Sequence, residues 1–307
     1  MCIPFLVELG YDKIFAAALV ATAAGLGVII PPSIPYISFG LVTDTSVGDL
    51  FTAGVFPGCL IAVWLMVYAV IYCRVKGEDR EKIEENHNKL REKGVVQVLK
   101  EGFFALLTPV IILGGIYSGI VTPTEAACVS VFYAIFVCLF IYKSIQFKDL
   151  WGFFKDAVKS YAPLGMSLCL ARAFVQILAL LKAPQQLSGW LSSTFTSKNL
   201  FLLVFLLILF LLGMVIDVGP ANTILGPMLL TFTGNLGIDP VHLGIIMTCA
   251  LAIGFVTPPF GMNLFVAAPM VKENPMTIGK EAMPLVGFYM IALLMITFIP
   301  QISLCLL

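Results

Sequence analysis

The chain has 307 residues, 60% hydrophobic and 12% charged, with 18 basic and 18 acidic side chains and a formal net charge of zero. Soluble domains carry about 25% charged residues, so this composition, with a mean hydropathy of +1.01, excludes a water-soluble enzyme, a nucleic-acid binder and a disordered scaffold. An all-α integral membrane protein with several spans remains, and the placement of charge carries more information than its sum.

The start, MCIPFLVELGYDK, mixes charge with apolar residues. It lacks the basic stretch and apolar core of a signal peptide, so none is expected. A membrane helix needs about 20 apolar residues. In chain order the candidate segments are 14–42, 50–73, 103–121, 125–142, 161–181, 199–216, 220–233, 241–271 and 283–305. Segments 14–42 and 241–271 are long and carry Pro-Pro in the middle. Segments 199–216 and 220–233 are too short to cross twice comfortably, and read as a re-entrant hairpin.

Charge sets the orientation. Residues 74–101 hold 8 of the 18 Lys and Arg, interleaved with seven acids, and read as a solvated cytoplasmic helical connector. Short loops rich in Lys and Arg stay inside. Lys143, Lys148, Lys155 and Lys159 form a second basic stretch, two crossings later and also inside. Loops 43–49 and 234–240 lack Lys and Arg and fall outside. On this map 14–42 runs outward and 241–271 runs inward.

The two long segments share a pattern, Gly27-Val28-Ile29-Ile30-Pro31-Pro32 and Gly254-Phe255-Val256-Thr257-Pro258-Pro259, both G-x-x-x-P-P. An inverted pair of interrupted helices marks many secondary transporters. Proline has no N–H, so it frees the carbonyl four residues earlier: Gly27 and Val28 in the first break, Gly254 and Phe255 in the second. Ile30 and Thr257 precede proline and are pushed out of the helical region, which turns their carbonyls aside. Bare carbonyl oxygens at membrane depth need a partner, and a hard cation such as Na⁺ supplies one. The restarting half-helices, at Ser33 and at Gly261-Met262-Asn263, point their positive ends towards an anion. A simple proline kink is the alternative for either break alone.

Three charged residues lie at or near membrane depth. Asp217, at the hairpin tip, is either an ion or substrate ligand or the cap of the return half-helix with Pro220 in its first turn. Glu125 completes Thr122-Pro123-Thr124-Glu125, a capping box. Arg172 could contact a carboxylate substrate, pair with Asp217 or face a wet cavity. The eight cysteines form no C-x-x-C and lie mostly in apolar runs, where cysteine packs as a small hydrophobe. His87 and His242 are too isolated for a metal cluster. No nucleophile–base set is present either, so an enzyme is not expected.

The stretches GLGVIIPPSIPYISFG (25–40), GGIYSGIVTPTEAACVSVFYA (114–134), GIDPVHLG (237–244) and GFVTPPFGMNLFV (254–266) resemble the large membrane subunit of tripartite ATP-independent periplasmic (TRAP) transporters, the DctM-type permease. The resemblance implies an elevator-type, Na⁺-coupled importer in the inner (cytoplasmic) membrane, with no cofactor beyond the coupling ion. It implies two partners, a small DctQ-type membrane subunit and a DctP-type extracytoplasmic solute-binding protein. The implied substrate is an organic acid of the C4-dicarboxylate or sialic-acid type. It also implies one Na⁺ site at Gly27, Ile30 and Pro31 and a second at Gly213, Gly254, Thr257 and Phe260. Ser33, Arg172, Asp217 and Asn263 are the candidates for facing substrate. On this reading residues 1–73 end the first inverted repeat, 74–102 connect, and 103–307 form the second, with hairpin 199–233. The family carries a further N-terminal hairpin, so an N-terminally truncated copy is expected. A stand-alone Na⁺/dicarboxylate carrier and a non-transporting fragment are the other readings.

Overall fold

The computed structural model describes residues 2–76, 95–194 and 197–307. Most of the charged connector expected over 74–102 lies outside the described residues. Among those described, the regular structure is helical. Contact clustering divides the chain into two compact units, residues 1–87 with 175–307, and residues 88–174.

In the larger unit, α1 (Cys2–Glu8) leads to α2 (Lys13–Ala23), capped by Asp12, whose carboxylate accepts the Ile14 and Phe15 amides at 3.0 and 2.9 Å. Helix α3 (Ile34–Thr43) follows the first break, and α4 (Val47–Lys76) is long and apolar enough to span a membrane. The expected segment 14–42 is thus one broken helix.

The smaller unit holds α5 (Val95–Tyr117), α6 (Pro123–Phe136) and most of α7 (Leu150–Leu180). The capping box forms as expected. Glu125 accepts the Thr122 amide at 2.7 Å, and the Thr122 hydroxyl accepts the Glu125 amide at 3.4 Å. Helix α6 ends in a π turn, Val137–Ile141. The expected span 161–181 is only the later part of α7, which begins at Leu150 because residues 150–160 carry no proline and a lone Gly152 does not stop it. Lys155 and Lys159, of the second basic stretch, therefore lie on a helix.

The chain re-enters the larger unit at Val175, within α7, and continues into α8 (Ala183–Thr194), a helix where no segment was expected. Its twelve residues, with two Gln and three Ser, are too few and too polar to read as a separate span. The hairpin follows as α9 (Lys198–Gly213) and α10 (Val218–Asn235). Its two arms meet edge-on at Phe201 and Phe232, with ring centroids 4.7 Å apart. Asp239 caps α11 (Pro240–Ala252), accepting the Val241 amide at 2.8 Å. After the second break come α12 (Met262–Val271), α13 (Pro275–Phe298) and α14 (Gln301–Leu304). Helix α13 also spans by length and composition, and starts at Pro275 rather than 283 because Asn274 caps it, accepting the Met276 amide at 2.9 Å.

Helix α11 is the post around which the larger unit is built. Every residue from Val241 to Ala252 is buried. A helix that is apolar on all sides has no face to give to solvent. Helices α3, α4, α9, α10 and α13 all pack on it. The expected long segment 241–271 is therefore a central post, a break and a short return to the surface.

Candidate functional site

Both breaks begin the same way, with an α-helix tightening into a 3₁₀ turn, at Ala24–Val28 and at Ile253–Val256. Both Pro-Pro bonds, Pro31–Pro32 and Pro258–Pro259, are cis. In the first break the Ile29 and Ile30 amides both donate to the Leu26 carbonyl, at 3.0 and 2.8 Å. The next two residues are prolines and have no N–H, and the Ile30 amide is taken by Leu26, so the Gly27 carbonyl has no donor at positions 30 to 32. Space beside Gly27 is open as well, with nothing within 4 Å of where a Cβ would lie.

Two of the freed carbonyls are not bare. The Ser33 hydroxyl donates to the Val28 carbonyl at 2.6 Å. Ser33 also caps α3 by accepting the Tyr36 amide at 3.4 Å, and is only 1% exposed. The residue expected to start the new half-helix thus also repairs the old one. In the second break the Thr257 amide donates to the Gly254 carbonyl at 3.2 Å. A carbonyl has two lone pairs, so one stays available at each.

Thr257 lies in extended backbone, φ −92° and ψ 125°, as a residue before proline does. Its hydroxyl donates to the Ile253 carbonyl at 2.9 Å and its carbonyl accepts the Gly261 amide at 3.1 Å. Gly261 is the N-cap of α12 without a side-chain cap, and a Cβ there would meet the Phe255 carbonyl oxygen at 2.7 Å. Asn263, expected within that cap, turns elsewhere. Its amide donates to the Ala21 carbonyl at 2.9 Å and ties the second restart to the helix entering the first break. The breaks stand side by side: a Cβ on Gly25 would touch the Ala252 carbonyl oxygen at 3.5 Å. Pro31 is buried, while Ile30 and Phe260 are 38% and 60% exposed.

The hairpin tip repeats the turn of the first break. The Val215 and Ile216 amides both donate to the Leu212 carbonyl, at 3.0 and 2.8 Å. Gly213 therefore holds the position that Gly27 holds after Leu26. The sequences Leu26-Gly27-Val28-Ile29-Ile30 and Leu212-Gly213-Met214-Val215-Ile216 carry a signal for this that the proline argument passed over, because the tip has no Pro-Pro. Gly213 and Gly254 then meet directly. A Cβ on Gly254 would overlap the Gly213 carbonyl, with the Met214 nitrogen 2.5 Å away, and one on Gly213 would overlap Leu251 backbone. The structure thus brings together Gly213, Gly254 and Thr257, and lays Gly27, Ile30 and Pro31 in the adjoining break.

Asp217 occupies the N-cap position of α10, but its carboxylate makes no capping hydrogen bond. Arg172 lies exposed on α7 in the smaller unit. Among the described residues no ion pair reaches either. Sequence reasoning missed Asn222, which is fully buried. Its amide donates to Thr248 at 2.8 Å and to the Pro35 carbonyl at 3.4 Å, and so joins the hairpin, α11 and the helix after the first break. An Asn inside an apolar segment, three residues after Gly219, was the available signal.

A multi-pass helical bundle whose interrupted helices present carbonyl oxygens beside a hairpin tip defines a membrane transport protein. The chain belongs to the family described as the tripartite ATP-independent periplasmic transporter, DctM component, whose profile matches residues 1–302. It is 36% identical over 302 residues to the isethionate TRAP transporter permease protein DctMQ of Oleidesulfovibrio alaskensis, covering 98% of this chain and 47% of that protein. It is 37% identical to the C4-dicarboxylate TRAP transporter large permease protein DctM of Pseudomonas aeruginosa, over 98% of this chain and 69% of that protein. The sialic acid TRAP transporter large permease protein SiaM of Vibrio cholerae is 34% identical over 96% of this chain and 68% of its own length. The chain thus spans about half of the first of these relatives and just over two thirds of the other two.

Proposed function

We propose that this chain carries the ion-binding core of a Na⁺-coupled importer of a small organic anion, working in the inner membrane with a small membrane subunit and an extracytoplasmic solute-binding protein. One observation carries the reading: Gly213 and Gly254 place the hairpin tip and the second break backbone to backbone, and the Thr257 amide closes on that same Gly254. Carbonyl and hydroxyl oxygens are what a hard monovalent cation takes as ligands. Gly213, Gly254, Thr257 and Phe260 would form one such site. Gly27, Ile30 and Pro31 would form the other.

Asp217, Ser33, Asn263 and Arg172 remain the candidates for substrate. Among the described residues, Asp217 and Arg172 have charged groups without an ion-pair partner, whereas the polar groups of Ser33 and Asn263 are engaged in bonds across the breaks. The three relatives above are named for isethionate, C4-dicarboxylate and sialic acid, and a further one, 30% identical over 98% of this chain, for ectoine; each of these compounds carries an acidic group, although ectoine is a zwitterion. That supports the anion and leaves its skeleton to the binding protein. The test is uptake by vesicles holding the chain with both partners. Accumulation of an organic anion that requires an inward Na⁺ gradient supports the reading. Equal uptake with K⁺ in place of Na⁺ overturns it.

A further inference from the structure

Within the smaller unit, α6 and α7 do not close on each other. An apolar groove of 390 Å³ opens between them, with Val131, Ile135 and Cys138 on one wall and Leu150, Phe153 and Ala157 on the other. The loop joining the two helices contributes Ile145 and closes one end of the groove. That loop carries Lys143 and Lys148, both exposed. Among the described residues neither lysine has an ion-pair partner. The same end carries a belt of exposed aromatic rings, Tyr142, Phe147 and Trp151, at 39%, 69% and 79% exposure. Rings of this kind settle at the headgroup level of a bilayer. The end with the lysines is thus the polar boundary, and the groove runs from it into the hydrocarbon.

We propose that this groove is a lipid site, holding one acyl chain of an anionic phospholipid whose phosphate is bound by Lys143 and Lys148. The lining is almost wholly apolar, which suits a chain and offers nothing to a polar ligand. Two exposed lysines on the loop whose Ile145 lines the groove, without an ion-pair partner among the described residues, suit a phosphate. Basic pockets between membrane helices at the headgroup level recognise anionic lipids by this combination.

The experiment uses the full chain in bilayers. Trp64 and Trp190 are replaced by Phe, so that fluorescence reports on Trp151, next to Leu150 of the groove. Phosphatidylglycerol and phosphatidylcholine with brominated chains are compared as quenchers. The expected result is that the anionic lipid quenches roughly fivefold more effectively at equal mole fraction, about the effect of one lysine at a membrane surface. The preference disappears in the Lys143→Gln, Lys148→Gln double variant. Filling the groove by Ala157→Phe, or by Ala134→Phe on the α6 wall if the first variant fails to fold, also removes it. Equal quenching by the two lipids overturns the proposal. So does a preference that survives the lysine changes, or one that survives filling of the groove, which would mark surface attraction alone. Loss of quenching by both lipids when the small membrane subunit is added would assign the groove to a protein helix instead.

Discussion

Gly213, the last residue of α9, and Gly254, in the 3₁₀ turn before the second Pro-Pro break, pack backbone against backbone with no room for a Cβ on either. The partner atoms are main chain and cannot swing away. Gly213→Ala and Gly254→Ala should therefore each force a backbone shift, costing about 1–3 kcal/mol or more, and should abolish Na⁺-coupled uptake. Gly27→Ala is the control, because its Cβ meets open space. It should stay within about 0.5 kcal/mol of the parent and still weaken Na⁺ dependence by crowding the Gly27 carbonyl. Thermal unfolding and uptake measured on the same preparations separate the two effects.

Thr257→Val keeps the shape of a 3%-exposed side chain and removes the hydroxyl that bonds the Ile253 carbonyl. A hydroxyl that only satisfies that carbonyl would cost about 1 kcal/mol on removal and leave Na⁺ affinity unchanged. The expected outcome is a rise of at least about tenfold in the Na⁺ concentration for half-maximal uptake, equal to 1.4 kcal/mol, with recovery in Thr257→Ser. An unchanged Na⁺ dependence would remove Thr257 from the site.

Asp217 and Asp239 stand at equivalent positions before helices but differ in what their carboxylates do. Asp239 accepts the Val241 and His242 amides at 2.8 and 3.3 Å, whereas Asp217 caps nothing. Asp239→Ala should cost about 1 kcal/mol in stability. Asp217→Asn should leave the unfolding temperature unmoved while changing the uptake rate. A stability loss in Asp217→Asn matching that of Asp239→Ala would return the residue to a capping role.

Asn222 and Thr248 form a fully buried 2.8 Å hydrogen bond between the hairpin and the central post. Either alanine variant leaves the other group short of a partner, at about 1–3 kcal/mol. The double variant should cost less than the sum of the singles, because it removes both groups together. Additive losses in chemical denaturation would show that the two side chains do not depend on each other.

Much of the architecture was legible in the residues. Ser33 announces a helix restart, and the Thr122–Glu125 box forms as its spacing requires. The matched G-x-x-x-P-P runs located both breaks, since proline removes an amide wherever the chain goes. Helix α8 was not legible, because its polar residues hide it from a reading by apolarity. The boundaries of α7 and α13 failed for a related reason: a hydropathy window sees the apolar stretch, and a helix continues until a cap or breaker stops it.

By itself, the sequence determined the class of protein, the positions of the interruptions and which carbonyls lose their helical amide. These follow from local covalent chemistry. Only the tertiary structure decided which carbonyls stay open, because the donors that close them are chosen by folding. Ser33 reaches back to Val28, Thr257 closes on Gly254, and Asn263 crosses to Ala21. It alone also set Gly213 against Gly254, 41 residues apart in the chain, since that contact exists only where two glycines let separate backbones approach to atomic contact.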